Sequence, residues 1–171
     1  SASIITIIFG ILFFLSNLEQ DKKINLHQAF LLTSLSWISV AIFGSLPFVF
    51  SELNLSVTDS FFESMSGITT TGSTIITDLN STPKAILLWR AILQWLGGIG
   101  IIVMAITLMP IMNVGGMQLF KVSNNDGSEK VLPKTKEISV RVILIYLILT
   151  FLCTIFYKIF GMNFFDSLTH S

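Results

Sequence analysis

The sequence predicts an all-α integral membrane protein built from helix–pore loop–helix repeats. Three observations carry that prediction. Apolar residues make up 52% of the chain and charged residues only 12%, against about 25% charged in ordinary soluble domains. Two apolar segments, residues 29–50 and 85–109, are each long enough to span a bilayer. Between them lies residues 59–74, DSFFESMSGITTTGST, too polar to cross a membrane and too short to be a domain. A stretch flanked in this way dips into the membrane and returns on the same side. Irregular backbone at that depth is tolerated only where protein buries it or where it lines a watery path.

Composition also excludes. Formal net charge is zero, so no basic patch points to nucleic acid. The single cysteine, Cys153, lies in an apolar run, which rules out internal disulfides and thiolate metal clusters and reads as a small hydrophobe. His27 and His170 are too far apart in sequence for metal-ligand spacing. The chain opens at Ser1 and stops at Ser171 without a closing element, as expected of an excerpt from a longer protein.

In order, residues 1–16 read as the end of a preceding transmembrane helix and 17–28 as a polar connector carrying Glu19, Asp21, Lys22 and Lys23. Residues 29–50 form the first complete span, 22 residues without a charge, about 33 Å as a helix at ~1.5 Å per residue. Trp37, near its middle, reads as a packing residue, and Pro47 is tolerable because neighbouring groups can satisfy the carbonyl it frees. Asp59 and Ser60 read as the N-cap of a short helix over 60–66, which Gly67 ends. Residues 78–83, DLNSTP, form a turn, with Pro83 in the first turn of the next helix.

The span 85–109 carries Arg90 and Gln94, four apart and so on one face. Intramembrane charge normally faces protein or water. Arg90 reads either as a partner for Glu63 or the loop carbonyls, or as a side chain that snorkels to the outer interface. Gly97, Gly98 and Gly100 follow, small residues that permit close helix packing or a bend. Their GGIG spacing has neither a preceding strand nor a following acidic residue, so a dinucleotide fingerprint is rejected. Residues 110–137 form a polar loop, and 138–171 contain the last span and the opening of a further unit.

The connector and the 110–137 loop, with Arg141, hold seven of the ten Lys and Arg. The positive-inside rule therefore places both in the cytoplasm and the re-entrant loop on the outer face. A helix entering from outside points its C-terminal carbonyls toward mid-membrane, where the macrodipole favours a cation. Thr69, Thr70, Thr71 and Gly72 then offer carbonyl and hydroxyl oxygens without fixed charge, which suits a dehydrated monovalent cation. Gly72 allows positive φ without steric cost. Glu63 reads as a structural acceptor that holds the loop, since an unpaired carboxylate there is costly.

An internal repeat reinforces this reading. Residues 61–66, FFESMS, match 164–169, FFDSLT, position by position in chemical type. Each copy follows a long apolar span and a short polar link.

Three blocks give a family resemblance: residues 62–74, FESMSGITTTGST; residues 88–103, LWRAILQWLGGIGIIV; and residues 114–120, VGGMQLF. In order and spacing the sequence resembles the Trk-type potassium uptake proteins of the Trk/Ktr/HKT superfamily, across essentially the whole chain. The resemblance implies four linked helix–pore loop–helix units around one pore, of which 29–109 is the first and 138–171 opens the second. It further implies a homodimer in the lipid of the bacterial inner membrane. The resemblance implies as well a cytoplasmic nucleotide-binding TrkA-type subunit that would gate the pore. The transported K+ would be bound by filter backbone oxygens at Thr70 and Thr71, with Thr69, Gly72 and Ser73 adjacent, and no organic cofactor. Competing readings are a sodium-permeable relative, a non-conducting membrane adaptor and a membrane-embedded hydrolase. The last lacks any nucleophile–base pair or metal pair in the spans.

Overall fold

A computed structural model describes residues 2–16, 26–79, 81–112 and 131–171. Helices are the regular structure of those residues, with no strand among them: α1 (Ala2–Ser16), α2 (Leu26–Val49), α3 (Val57–Ile68), α4 (Lys84–Met112), α5 (Val131–Ile159) and α6 (Phe164–Thr169). The connector at 17–25 and residues 113–130, which include the VGGMQLF block, lie outside the described residues. Three helices contain stretches long and apolar enough to cross a membrane, Phe30–Val49, Lys84–Ile106 and Glu137–Ile159; α1 is apolar but shorter. The chain divides into two compact units, Ser1–Trp95 and Leu96–Ser171.

In the first unit α1 lies against α2, with the rings of Phe9 and Phe43 5.6 Å apart. The sequence places the cap of α3 at Asp59 and Ser60, but the helix starts three residues earlier. Its N-cap is Ser56, whose hydroxyl accepts the Asp59 N–H at 3.1 Å. Ser56 and Asp59 have the S-x-x-D spacing of a capping box, so two overlapping cap signals compete and the upstream one wins. Nor does Gly67 end the helix, which runs on to Ile68. Gly67 is needed for proximity instead: a Cβ there would meet the Cβ of Leu93 on α4 at 3.1 Å.

Gly44 on α2 is tighter still. Its added Cβ would meet Ser64 Oγ at 2.6 Å and a Leu93 methyl at 3.2 Å. Thus α2, α3 and α4 converge on one point, and Phe48, Ile76, Ile86 and Leu93 form the buried apolar cluster around it. Pro47 lies within α2 and leaves the carbonyl of Phe43 without its helical donor. The indole N–H of Trp89 reaches the adjacent carbonyl, that of Gly44, at 2.9 Å.

The α4 helix begins directly after Pro83, which occupies the cap rather than the first turn; its carbonyl accepts from Ile86 and Leu87 at 2.9 and 3.2 Å. It then continues through Pro110 to Met112, beyond the apolar run that ends at Met109. In the second unit α5 likewise starts at Val131, upstream of the apolar run, because Lys and Glu sustain a helix as well as apolar residues do. Its Thr150 and Thr154 hydroxyls donate to carbonyls one turn back, at 2.8 and 2.9 Å, so neither polar group is left unsatisfied on an apolar helix. A Cβ on Gly98 would meet the Tyr146 hydroxyl of α5 at 2.7 Å, so this glycine serves helix packing.

Gly44→Ala is expected to lower the unfolding stability of the detergent-solubilised full-length protein by about 1–3 kcal/mol through overpacking. Gly44→Ala/Ser64→Ala, which removes the hydroxyl the new methyl strikes, should recover part of that loss in thermal unfolding.

Candidate functional site: the loop at the C-terminal end of α3

Two residues of this loop have left-handed backbone, Thr70 at φ +58° and Gly72 at φ +76°. Thr70 closes the helix. With Thr69 as the C-cap, the Thr70 N–H donates to Gly67 O at 2.9 Å and the Thr71 N–H to Ser66 O at 3.0 Å. These are the two bonds of a Schellman motif, in which the left-handed position is usually glycine. A β-branched residue there is strained, by about 1–3 kcal/mol, and persists only where its surroundings fix it. At Gly72 an added Cβ meets nothing within 4 Å, so the requirement for glycine is one of backbone conformation and not of space.

The surroundings are a hydrogen-bond network that takes up the loop's donors. The N–H groups of Thr69, Thr70, Thr71 and Gly72 all donate back to carbonyls of α3. The Thr69 hydroxyl donates to Met65 O at 2.7 Å. Its contact with the Thr71 hydroxyl, 2.9 Å, therefore has Thr71 as the donor. Among the described residues no hydrogen bond reaches the carbonyls of Thr69, Thr70, Thr71 or Gly72. All four residues, and Ser73, are exposed. The loop thus presents acceptors whose donors have been turned inward, at the negative end of the α3 dipole.

Glu63 ties down the far side of the loop. It is 1% exposed, and its Oε1 accepts from the Thr74 hydroxyl at 2.5 Å and the Ile75 N–H at 2.7 Å. Thr74 Oγ1 in turn accepts the Ile76 N–H at 3.0 Å. Oε2 lies 2.9 Å from Arg90 Nε but receives no aligned hydrogen bond, so that contact is a charge pairing. Of the two roles open to Arg90 from sequence, the structure selects partnership with Glu63. Among the described residues Ser60 Oγ and Ser64 Oγ, on the same buried face of α3, find no hydrogen-bond partner.

The structure therefore brings together Thr69, Thr70, Thr71, Gly72, Ser73, Glu63 and Arg90. Gly97, Gly98 and Gly100 lie on the part of α4 assigned to the second unit, outside this network. Sequence reasoning missed Ser66, whose hydroxyl donates to Ser73 O at 2.7 Å while its carbonyl accepts from both Thr71 and Gly72. It also missed the strained Thr70 and the cap at Ser56; of these, only the Ser56–Asp59 spacing was readable. Among the described residues no cluster of three or more His, Cys, Asp or Glu could hold a metal ion.

The second copy of the repeat repeats part of this pattern. Ser167, the counterpart of Ser64, is fully buried, as Ser64 is. Asp166, the counterpart of Glu63, accepts from Asn163 Nδ2 at 2.9 Å.

The family model for TrkH, described as a cation transport protein, matches residues 1–167. The chain belongs to the TrkH family. Similar relatives include the Trk system potassium uptake protein TrkI of Halomonas elongata, 46% identical over 144 residues, covering 84% of this chain and 29% of that protein. The Trk system potassium uptake protein TrkH of Escherichia coli K12 is 40% identical over 170 residues, covering 98% of this chain and 35% of that protein. The crystal structure of the potassium transporter TrkH from Vibrio parahaemolyticus superposes with a TM-score of 0.83 at 35% identity, over 99% of this chain and 33% of that one. The chain spans about a third of the length of these family members. With three helices among its described residues long and apolar enough to cross a membrane, this TrkH family chain is an all-α integral membrane protein of a transporter family.

Removing either partner of the Glu63–Arg90 pair strands a buried charge, which costs about 3–5 kcal/mol. Glu63→Ala and Arg90→Ala should each destabilise the protein on that scale, with Glu63→Ala the more damaging because Thr74 and Ile75 also lose their acceptor. In a double-mutant cycle read by thermal unfolding, the combined variant should lose clearly less than the sum of the two; strict additivity would show that the pair is uncoupled.

Proposed function

We propose that this chain supplies one quarter of the selectivity filter of a potassium uptake protein of the bacterial inner membrane. The observation that carries the reading is the set of unpartnered carbonyls at 69–72, held in place by inward-turned donors. An ion entering a bilayer must exchange its water for other oxygens, and a rigid row of carbonyls is the uncharged replacement. Thr70 and Thr71 carry the ligating oxygens, with Thr69, Gly72 and Ser73 completing the filter segment. K+ is the cargo, and the chemistry of the segment calls for no organic cofactor.

The supporting context is of two kinds. The relatives named above are potassium uptake proteins, and the distribution of Lys and Arg favours a filter on the outer face with basic loops inside. Residues 29–109 then form the first helix–pore loop–helix unit, 1–16 the end of a preceding helix, and 138–171 the start of the second unit. Residues 17–28 and 110–137, which include the first turn of α2, the end of α4 and the start of α5, are cytoplasmic. On this reading the protein works as a homodimer in lipid, and a TrkA-type nucleotide-binding subunit docks from the cytoplasmic side to gate it. Gly97, Gly98 and Gly100 allow the α4 helix to pack closely or bend during gating. Glu63 and Arg90 hold the filter without contacting the ion.

Rubidium uptake in potassium-transport-deficient cells expressing the full-length protein tests the reading: flux is expected, whereas a membrane adaptor gives none. In the same assay Gly72→Ser should lower the preference for rubidium over sodium, because serine resists the left-handed backbone that Gly72 holds. Unchanged selectivity would count against a filter role for Gly72.

A further inference from the structure

We infer that Ser66 is a positioning residue whose hydroxyl fixes where the run of ion-facing carbonyls ends, and so sets the preference among monovalent cations. The inference rests on the filter reading above. Serine within a helix ordinarily turns its hydroxyl back to a carbonyl three or four residues earlier. Thr69 does so toward Met65, Thr154 toward Thr150, and Thr169 (the counterpart of Ser66 in the second copy) toward Phe165 and Asp166. Ser66 does the opposite and reaches forward seven residues to the carbonyl of Ser73 at 2.7 Å.

That bond has a specific consequence for the loop. The Ser66 carbonyl already accepts the N–H groups of Thr71 and Gly72, at 3.0 and 3.3 Å. One residue, itself only 6% exposed, thus fastens three consecutive residues of the loop. Among the described residues the carbonyls of Thr69, Thr70, Thr71 and Gly72 receive no donor, whereas the next one, Ser73 O, is held by the Ser66 hydroxyl. The ion-facing set therefore stops at Gly72. Removing the hydroxyl leaves the backbone bonds to Thr71 and Gly72 intact, because they use the carbonyl of residue 66. It frees Ser73 O to turn toward the path, adding an oxygen and slack at the end of the filter.

The test is rubidium uptake and its competition by sodium, in potassium-transport-deficient cells expressing the full-length protein. For Ser66→Ala the sodium concentration that halves rubidium uptake should fall about three- to tenfold, the range spanned by loss of one neutral hydrogen bond. The maximal rate should change only in proportion to the amount of protein in the membrane. Ser66→Thr, which keeps the hydroxyl, should restore the wild-type value. If Ser66→Ala does not reach the membrane, Ser66→Cys provides the same comparison, with a similar size and a weak donor, and should shift in the same direction. A structural role alone would lower the amount of protein and leave the sodium competition unchanged, and that result would overturn the inference. So would a Ser66→Thr variant as altered as Ser66→Ala. Absence of rubidium uptake in the wild type would instead defeat the filter reading itself, before Ser66 is considered.

Discussion

A loop that is to present bare carbonyls must first turn its N–H groups to other partners, because each residue carries both a donor and an acceptor. In this protein the C-terminal end of α3 takes the donors. The last carbonyls of any helix lack intrahelical partners, and here those of Met65, Ser66 and Gly67 accept the N–H groups of residues 69–72. The same bonds that end the helix orient the loop, so loop and α3 are one structural unit. The strain of a threonine in left-handed backbone at Thr70 follows from that closure.

The second constraint is the buried carboxylate. Glu63 is almost fully enclosed, and a lone charge there would be costly. Its two oxygens divide the work: Oε1 takes donors from Thr74 and Ile75, and Oε2 faces Arg90. Loop exit, α3 and α4 are thereby joined through one side chain. Buried ion pairs are weak evidence for net stability, since desolvation offsets much of the attraction. The pair serves instead to fix the position of the loop relative to α3 and α4.

Much of this was readable from the residues because the signals were compositional or local. Apolar runs with almost no charge mark the spans, and a polar Thr/Gly stretch between two of them marks the loop. Glycine at residue 72 signals a backbone need that the φ of +76° bears out. What escaped depends on tertiary placement. Ser66 is one hydroxyl in a stretch rich in Ser and Thr, and nothing local distinguishes the one that reaches forward from those that bond backward. Gly67 carries the usual mark of a helix end, yet it stays helical and lies close against Leu93, and Thr70 takes the left-handed position instead. Gly44 is similar: only the meeting of three helices shows why it has no side chain.

The central claim is that the carbonyl oxygens of Thr70 and Thr71 replace water around the transported ion. Anomalous diffraction from crystals of the full-length protein grown in rubidium tests it most directly. The account predicts a rubidium peak on the central axis within direct ligand distance of both carbonyls. A filter region without such a peak, or rubidium bound elsewhere while those oxygens face lipid, would contradict it.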